Sequence, residues 1–261
     1  MRISLIITTY NQPESLFLVL KSIEKQTLKP SEIIIADDGS SDSTKNLITE
    51  FFKDSDLNFF HSYQEDLGFR AAQSRNKAIA IASSEYIVLI DGDMILHPEF
   101  ISDHLKHAKS NFFIQGSRAL LTEQKTYEVM KKKQTKINFF QSGIKNRLNS
   151  IHSNIFSKFF SLNKNYLKGI KTCNMSFFRE DCINVNGFNN DFIGWGREDT
   201  EFVVRLMNKG INRKSLKLSA IQFHLWHNEA SRKSLQKNDL LLHKAIEQKM
   251  TYCKNGISKF L

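Results

Sequence analysis

Two aspartates flanking one glycine, Asp91-Gly92-Asp93, follow the apolar run 86–90. Carboxylates at that spacing at the end of a buried strand lie within reach of one hard divalent cation, which can bridge the phosphates of a nucleotide. Taken alone, two aspartates beside a glycine are more often simply turn formers. Two further polar clusters, Thr8-Thr9-Tyr10-Asn11 and Asp37-Asp38-Gly39-Ser40, also close apolar runs, which favours the ligand reading. Asp37 or Asp38 can accept from a base N–H or a ribose hydroxyl, while Ser40 also suits a helix start. His224 and His227 stand three positions apart, and either imidazole is a candidate to complete coordination begun by Asp93; the alternative is a hydrogen-bonded structural histidine. In Gly194-Trp195-Gly196 two glycines flank an indole, which suits a mobile loop offering a flat face to a ring-shaped substrate, or a Trp buried in a tight turn. Glu198 and Asp199 then open a helix whose dipole favours ionised carboxylates, competent as bases and equally at home as capping residues.

These side chains need elements to position them. Ile3–Thr9 is β-branched and apolar without polar alternation, as in a strand buried on both faces. Pro13 opens an amphipathic helix carrying Leu16, Leu20 and Ile23 and ending near Gln26. Strand 33–36 precedes a helix capped by Ser41 or Asp42, strand 57–63 precedes an alanine-rich helix over 70–82, and strand 86–90 runs into Asp91. Alternation of this length predicts a doubly wound α/β sheet, which binds ligands outside the carboxyl ends of its strands. The three polar clusters therefore converge on one rim. Past residue 120 the pattern weakens: 123–165 reads as polar, basic and helical, 194–199 leads into a helix with Phe202, Val203 and Leu206 buried, and strand 220–223 precedes His224.

Composition bounds the possibilities. The chain has 261 residues, 41% hydrophobic and 25% charged, enough for one sizeable core and too few for several domains. Eleven glycines and three prolines leave no linker, and no apolar run is long enough to span a membrane. The N-terminus lacks the pattern of a secretory signal, so a cytoplasmic chain is expected. Cys173, Cys182 and Cys253 form no C-x-x-C pair and are expected to be reduced thiols. Residues 125–171 hold eleven basic side chains and one acid, Glu128, so that segment carries the whole net charge of +10. Something anionic beside it is expected, a membrane face rather than nucleic acid, with compositional background as the bland alternative. Neither G-x-G-x-x-G nor a P-loop is present, which argues against a nicotinamide Rossmann enzyme and a P-loop NTPase.

Thr8-Thr9-Tyr10, Asp37-Asp38-Gly39-Ser40, Gly68-Phe69-Arg70 with Arg75-Asn76, and Asp91-Gly92-Asp93 together resemble the family-2 glycosyltransferases of the GT-A fold. Cys173-Asn174-Met175-Ser176, Asn186-Gly187-Phe188, the run 194–199 and His224 resemble the carboxyl half of the β-1,4-galactosyltransferase and bacterial chondroitin-polymerase group. The resemblance implies a Rossmann-like mixed sheet with helices on both faces: residues 1–120 as the nucleotide-sugar half, 121–170 as a basic helical insertion, and 171–261 as the acceptor-binding and catalytic half of the same domain. It implies that Thr8, Tyr10 and Asp37, with Asp38 and Gly92, hold a uridine, and that Arg70 and Arg75 lie near the diphosphate or brace its loop. Asp91 would face the ribose and share the metal side with Asp93, which ligates Mn²⁺ or Mg²⁺. Trp195, with Gly196 and Arg197, would cover the sugars, Glu198 would bind an acceptor hydroxyl, and Asp199 would be the base. The implied activity is inverting transfer from a UDP-sugar to a glycan or glycolipid acceptor. The galactosyltransferases carry Gly where this chain has Arg197, which suggests an extra cation near an acidic sugar. A sugar-nucleotidyltransferase and a non-catalytic polyanion- or nucleotide-binding protein on the same fold are the competing readings. The former lacks its expected Gly-rich basic loop after the first strand.

Overall fold

The structure, a computed structural model, describes residues 1–163 and 165–261; Lys164, one of the cations of the basic segment, lies outside the described residues. The amino-terminal half alternates strand and helix: β1 (Ile3–Thr9), α1 (Pro13–Ile23), β2 (Glu32–Asp37), α2 (Asp42–Lys53), β3 (Phe59–Tyr63), α3 (Ala71–Ile81) and β4 (Tyr86–Asp91). β5 (Met94–Leu96), α4 (Phe100–His107), β6 (Phe112–Gln115), β7 (Ala119–Leu121) and α5 (Glu123–Lys131) follow. The remainder comprises β8 (Ile144–Lys145), α6 (Asn154–Phe160), β9 (Leu162–Asn163), β10 (Asn174–Phe178), α7 (Arg179–Asn184), α8 (Glu198–Asn208), β11 (Asn212–Ser215), β12 (Gln222–His224) and α9 (Leu235–Glu247).

Eight strands form one mixed sheet in the order β3-β2-β1-β4-β10-β6-β11-β9. β1 to β4 are mutually parallel, and β10 runs antiparallel to both β4 and β6. The unbroken apolar runs are explained by what covers them. Leu5, Ile7, Ile33, Ile35, Val88 and Ile90 pack on one face with Leu16, Leu20, Phe52 and Phe100, while Ile6, Ile34, Ile87 and Leu89 pack on the other with Ile79, Phe188, Phe202 and Leu206. Successive residues of a strand point to opposite faces, so a sheet with helices on both sides needs both sets apolar. The doubly wound expectation is met.

A second, four-stranded sheet, β5-β12-β7-β8, sits beside the first. Apart from β12, expected over 220–223, its strands are too short for periodicity to reveal, and the sequence reading missed the sheet. The region expected to be a helical insertion is helical over α5, a 3-10 turn at Arg147–Ser150 and α6, while β8 joins the small sheet and β9 edges the large one. Few apolar residues in register leave that segment dependent on neighbouring strands for its backbone hydrogen bonds. The three cysteines are free and buried. Among the described residues no helix is long and apolar enough to cross a membrane.

Candidate active site

Backbone hydrogen bonds fasten the three strand-terminal clusters together. The Gly92 N–H donates to Thr8 O (2.8 Å), the Asp38 N–H to Thr9 O (3.0 Å), and the Asn11 N–H to Ser40 Oγ (2.9 Å). Gly92 sits close against the first strand, since a Cβ there would stand 3.0 Å from Thr9 Oγ1 and crowd it. Gly39 combines φ +93° with backbone of Asp66 2.5 Å from where its Cβ would lie, so only glycine fits that turn.

Asp37 and Asp38 are both buried, which raises their carboxyl pKa before other contacts act. Asp37 ends lower than usual because Oδ2 meets His61 Nε2 at 2.9 Å and Oδ1 accepts the Ser40 N–H at 2.8 Å. Asp38 stays raised, its oxygens accepting from Gln64 Nε2 (2.6 Å) and the Arg70 N–H (2.8 Å). Asp37 has no exposed surface. In this geometry its two oxygens brace the strand end, one through His61 and the other through the Ser40 N–H. Tyr10 is exposed and donates to Asp66 Oδ2 at 2.9 Å, which adds Asp66 to the rim; no motif pointed to it. Arg70 directs Nε to Leu67 O at 3.1 Å and lies beside the same loop.

Asp93 is drawn to His224 and His227, with Oδ2 at 3.3 Å and 3.1 Å from their Nε2 atoms. Strand pairing brings this about: β12 runs antiparallel to β5 with His224 opposite Met94, and the Leu225 N–H donates to Asp93 O. The expected strand 220–223 is shifted to Gln222–His224, so His224 lies on the strand and not past it. Burial alone would raise the Asp93 carboxyl, yet hydrogen bonds from both histidines hold it well below the carboxylate range. His227 is pushed up to about 9, chiefly by its bond to Asp93. One ligand atom from each of these three residues lies within 4.8 Å of the others, and Asp93 Oδ1 is buried with no partner. One carboxylate and two imidazoles converging on a point, with a lone buried oxygen, fit a divalent ion. Asp91 is outside that trio. Its Oδ1 faces Arg75 Nη2 at 3.5 Å, and its carboxyl is raised first by burial, with Arg75 opposing and the nearby Asp93 charge adding to the rise.

Arg75 connects the two halves. It is buried, with Nε to Thr8 Oγ1 at 3.2 Å, Nη1 to Glu198 Oε1 at 3.1 Å, and Nη2 towards Asp91. Next to it, Asn76 clasps Phe188 by accepting from its N–H (2.8 Å) and donating to its carbonyl, joining α3 to the Asn186-Gly187-Phe188 turn. Glu198 Oε2 is buried and unpartnered. Asp199 is pushed up to about 7, first by burial and then by the adjoining Glu198, with Arg75 opposing. Trp195 lies at the surface, 40% exposed, with the Arg232 guanidinium 5.3 Å from its ring. Its loop is tethered, because Asn238 Nδ2 donates to the Gly196 and Ile193 carbonyls. Arg197 takes φ +80°, a conformation natural to glycine, and its Nε pairs with Asp239 at 2.5 Å. Both partners of that pair remain partly open to solvent. Arg118 also adjoins the site, within electrostatic reach of Asp91 and Asp93; sequence reasoning passed over it for want of a motif.

A mixed sheet of this order, with an Asp-x-Asp turn closing β4 and a returning strand that brings histidines to it, is the GT-A fold. The sequence model described as "Glycosyl transferase family 2" matches residues 4–179, and that of the "N-terminal domain of galactosyltransferase" matches 152–228. The chain belongs to glycosyl transferase family 2. It is 26% identical over 228 residues to validoxylamine A glucosyltransferase of Streptomyces hygroscopicus subsp. limoneus, covering 80% of this chain and 48% of that protein. It is 25% identical to chondroitin synthase of Escherichia coli over 85% of this chain and 34% of the relative. The chain thus spans about half or less of these relatives' length. Among solved structures, S. aureus TarS 1-349 in complex with UDP superposes with TM-score 0.64 at 15% identity, covering all of this chain and 68% of that one. The mannosyltransferase PcManGT from Pyrobaculum calidifontis, in complex with GDP-Man and Mn²⁺, gives 0.57 at 16% identity, covering 95% and 72%.

Proposed function

We propose that this chain is a metal-dependent, inverting glycosyltransferase that moves a hexose or N-acetylhexosamine from a UDP-sugar to a hydroxyl of a glycan or glycolipid, such as a bacterial surface glycan or its lipid-linked precursor. One observation carries the reading: Arg75 touches Thr8, Asp91 and Glu198 at once, so the nucleotide rim, the Asp-x-Asp turn and the start of α8 meet around one guanidinium. Thr8 and Tyr10 hold the uridine, on a loop that Asp37 and Asp38 fix from beneath, with Gly92 leaving room for it. Arg70 and Arg75 stand on the diphosphate side, and Asp91 faces the ribose.

Asp93, His224 and His227 would hold the ion, and two imidazoles favour Mn²⁺ over Mg²⁺. When bound, the ion offsets charge developing on the departing nucleoside diphosphate. Glu198 uses its free Oε2 to accept from an acceptor hydroxyl, and Asp199, the catalytic base, takes the proton of the hydroxyl that attacks the anomeric carbon. Trp195, Gly196 and Arg197 form the wall over the two sugars. Attack opposite the leaving group inverts the centre, so an α-linked donor yields a β-glycoside.

The relatives named as a glucosyltransferase and a chondroitin synthase, and the neighbours bound to UDP and to GDP-Man with Mn²⁺, support this reading. The chain works in the cytoplasm against the inner membrane face. Ile155, Phe156, Phe159 and Phe160 of α6 are exposed, and Lys106 and Lys158 flank them, an apolar patch in a basic field suited to an anionic lipid surface. The functional test is thermal melting with UDP, GDP, ADP and CDP, each with Mn²⁺ or a chelator. UDP with Mn²⁺ should raise the melting temperature, and chelation should remove most of the gain. Stabilisation by no nucleotide would refute the reading.

A further inference from the structure

The carboxyl edge of the large sheet holds a cavity of about 280 Å³ that the proposed reaction does not use. Strand register places it. Asn174 of β10 lies opposite Ile90 of β4, which sets Cys173 level with Asp91; Gln115 of β6 lies beside both Met175 and Ser215. Nucleotide-side segments end β1, β2 and β4, whereas the cavity is lined by residues of β6 and β11 and by Cys173 just before β10, further along the sheet.

Five cations line this cavity, Arg118, Lys168, Lys171, Arg213 and Lys217, and no carboxylate does. Arg213 is only 4% exposed; Nη1 donates to the carbonyls of Tyr166 (2.7 Å) and Lys168 (2.9 Å), while its buried Nε has no partner. Arg118 donates through Nη1 to Cys173 Sγ at 3.4 Å, and its Nε too is buried and unpartnered, as is Ser215 Oγ. Among the described residues none of the five cations forms an ion pair with a carboxylate. Buried charge without a partner is costly, and three unused donors around one hole match the several acceptor oxygens of an oxyanion.

We propose that this cavity binds an anionic oxygen group, phosphate or carboxylate, carried by one of the two sugar substrates, so that the transferase selects a charged substrate over its neutral counterpart. The inference rests on the glycosyltransfer reading, because Arg118 and Cys173 join the cavity to Asp91 and Asp93 and so put the anion on a reacting sugar. It deepens that reading by naming substrate class.

Sulfate is the first probe, titrated into the UDP- and Mn²⁺-saturated protein at constant ionic strength. The triple variant Lys168→Gln/Lys171→Gln/Lys217→Gln, at three exposed positions, should fold and bind UDP as the parent does. Sulfate should stabilise the parent saturably, with a midpoint at least tenfold weaker in the variant. Equal midpoints, or no saturable effect in the parent, overturn the proposal. Two substrate arms identify the source of the anion: hydrolysis of a UDP-hexuronate against the matching UDP-hexose, and transfer to a glycosyl phosphate against its dephosphorylated form. A tenfold preference for the charged partner in one arm, lost in the variant, supports the proposal; no preference in either arm overturns it. UDP binding is scored separately, so failure there refutes glycosyltransfer while the sulfate result still judges the cavity.

Discussion

Asp199 combines two properties that serve a base: a partly buried carboxyl pushed up to about 7, and Glu198 beside it to hold a hydroxyl. Only the ionised form accepts a proton, so kcat/KM should fall about tenfold per unit below pH 7 and level off above it. Asp199→Asn should remove that limb and lower turnover by about 10²- to 10⁴-fold while UDP binding stays near normal. Steady-state kinetics across pH with parallel UDP titrations decide this, and lost UDP binding would move the residue into the nucleotide site. Stability carries the same signature with the opposite sense. A carboxyl raised from about 3.8 contributes most to the fold when protonated, and that contribution disappears as pH climbs through 7. Asp199→Asn should therefore melt above the parent at pH 8 and by a smaller margin at pH 5. The candidate residues were legible as types at strand ends. Which of them face solvent was not: the burial of Asp37 and the partnering of Arg197 by Asp239 arise from neighbours far along the chain.

Elements were legible where one period ran long enough. β1, β2 and β4, apolar on both faces, and the amphipathic α1 and α2 fall within a residue or a few of their expected bounds. β5, β7 and β8, of two or three residues each, owe their existence to pairing within the small sheet, and no local pattern announces them; β12, expected over 220–223, is the one strand of that sheet the sequence signals. This matters for function, because the β5–β12 pairing delivers His224 to Asp93. At this scale the Arg75 guanidinium adds a buried polar tie between α3 and α8 to the apolar core that both helices share. Arg75→Met would leave the Glu198 and Asp91 carboxylates without their cation, and urea unfolding should show a loss of roughly 3 to 5 kcal/mol. A change within experimental error would show that the arginine does not join the halves as the contacts indicate.

Net charge was visible at once in the whole molecule, and its confinement to 125–171 pointed to an anionic neighbour. What the sequence left hidden is that the segment serves three places: α5 packs near α1, the exposed aromatics of α6 lie beside α4, and Tyr166, Lys168 and Lys171 line the cationic cavity. Binding to vesicles of 30% anionic lipid should weaken when Phe156→Ser and Phe159→Ser are combined, and also when Lys131, Lys132 and Lys133 are all changed to Glu, without loss of donor hydrolysis. Unchanged co-sedimentation by both variants would leave the membrane with no role.

The central claim is that distant loops close on one ion that grips the donor. Manganese binding followed by electron paramagnetic resonance, with and without UDP, tests it most directly. The parent protein should bind Mn²⁺ more tightly in the presence of UDP, and UDP more tightly by the same factor in the presence of Mn²⁺. Asp93→Ala and the double variant His224→Ala/His227→Ala should each abolish this coupling while leaving the protein folded. Full coupling in either variant, or tight UDP binding by the parent indifferent to metal, would contradict the account.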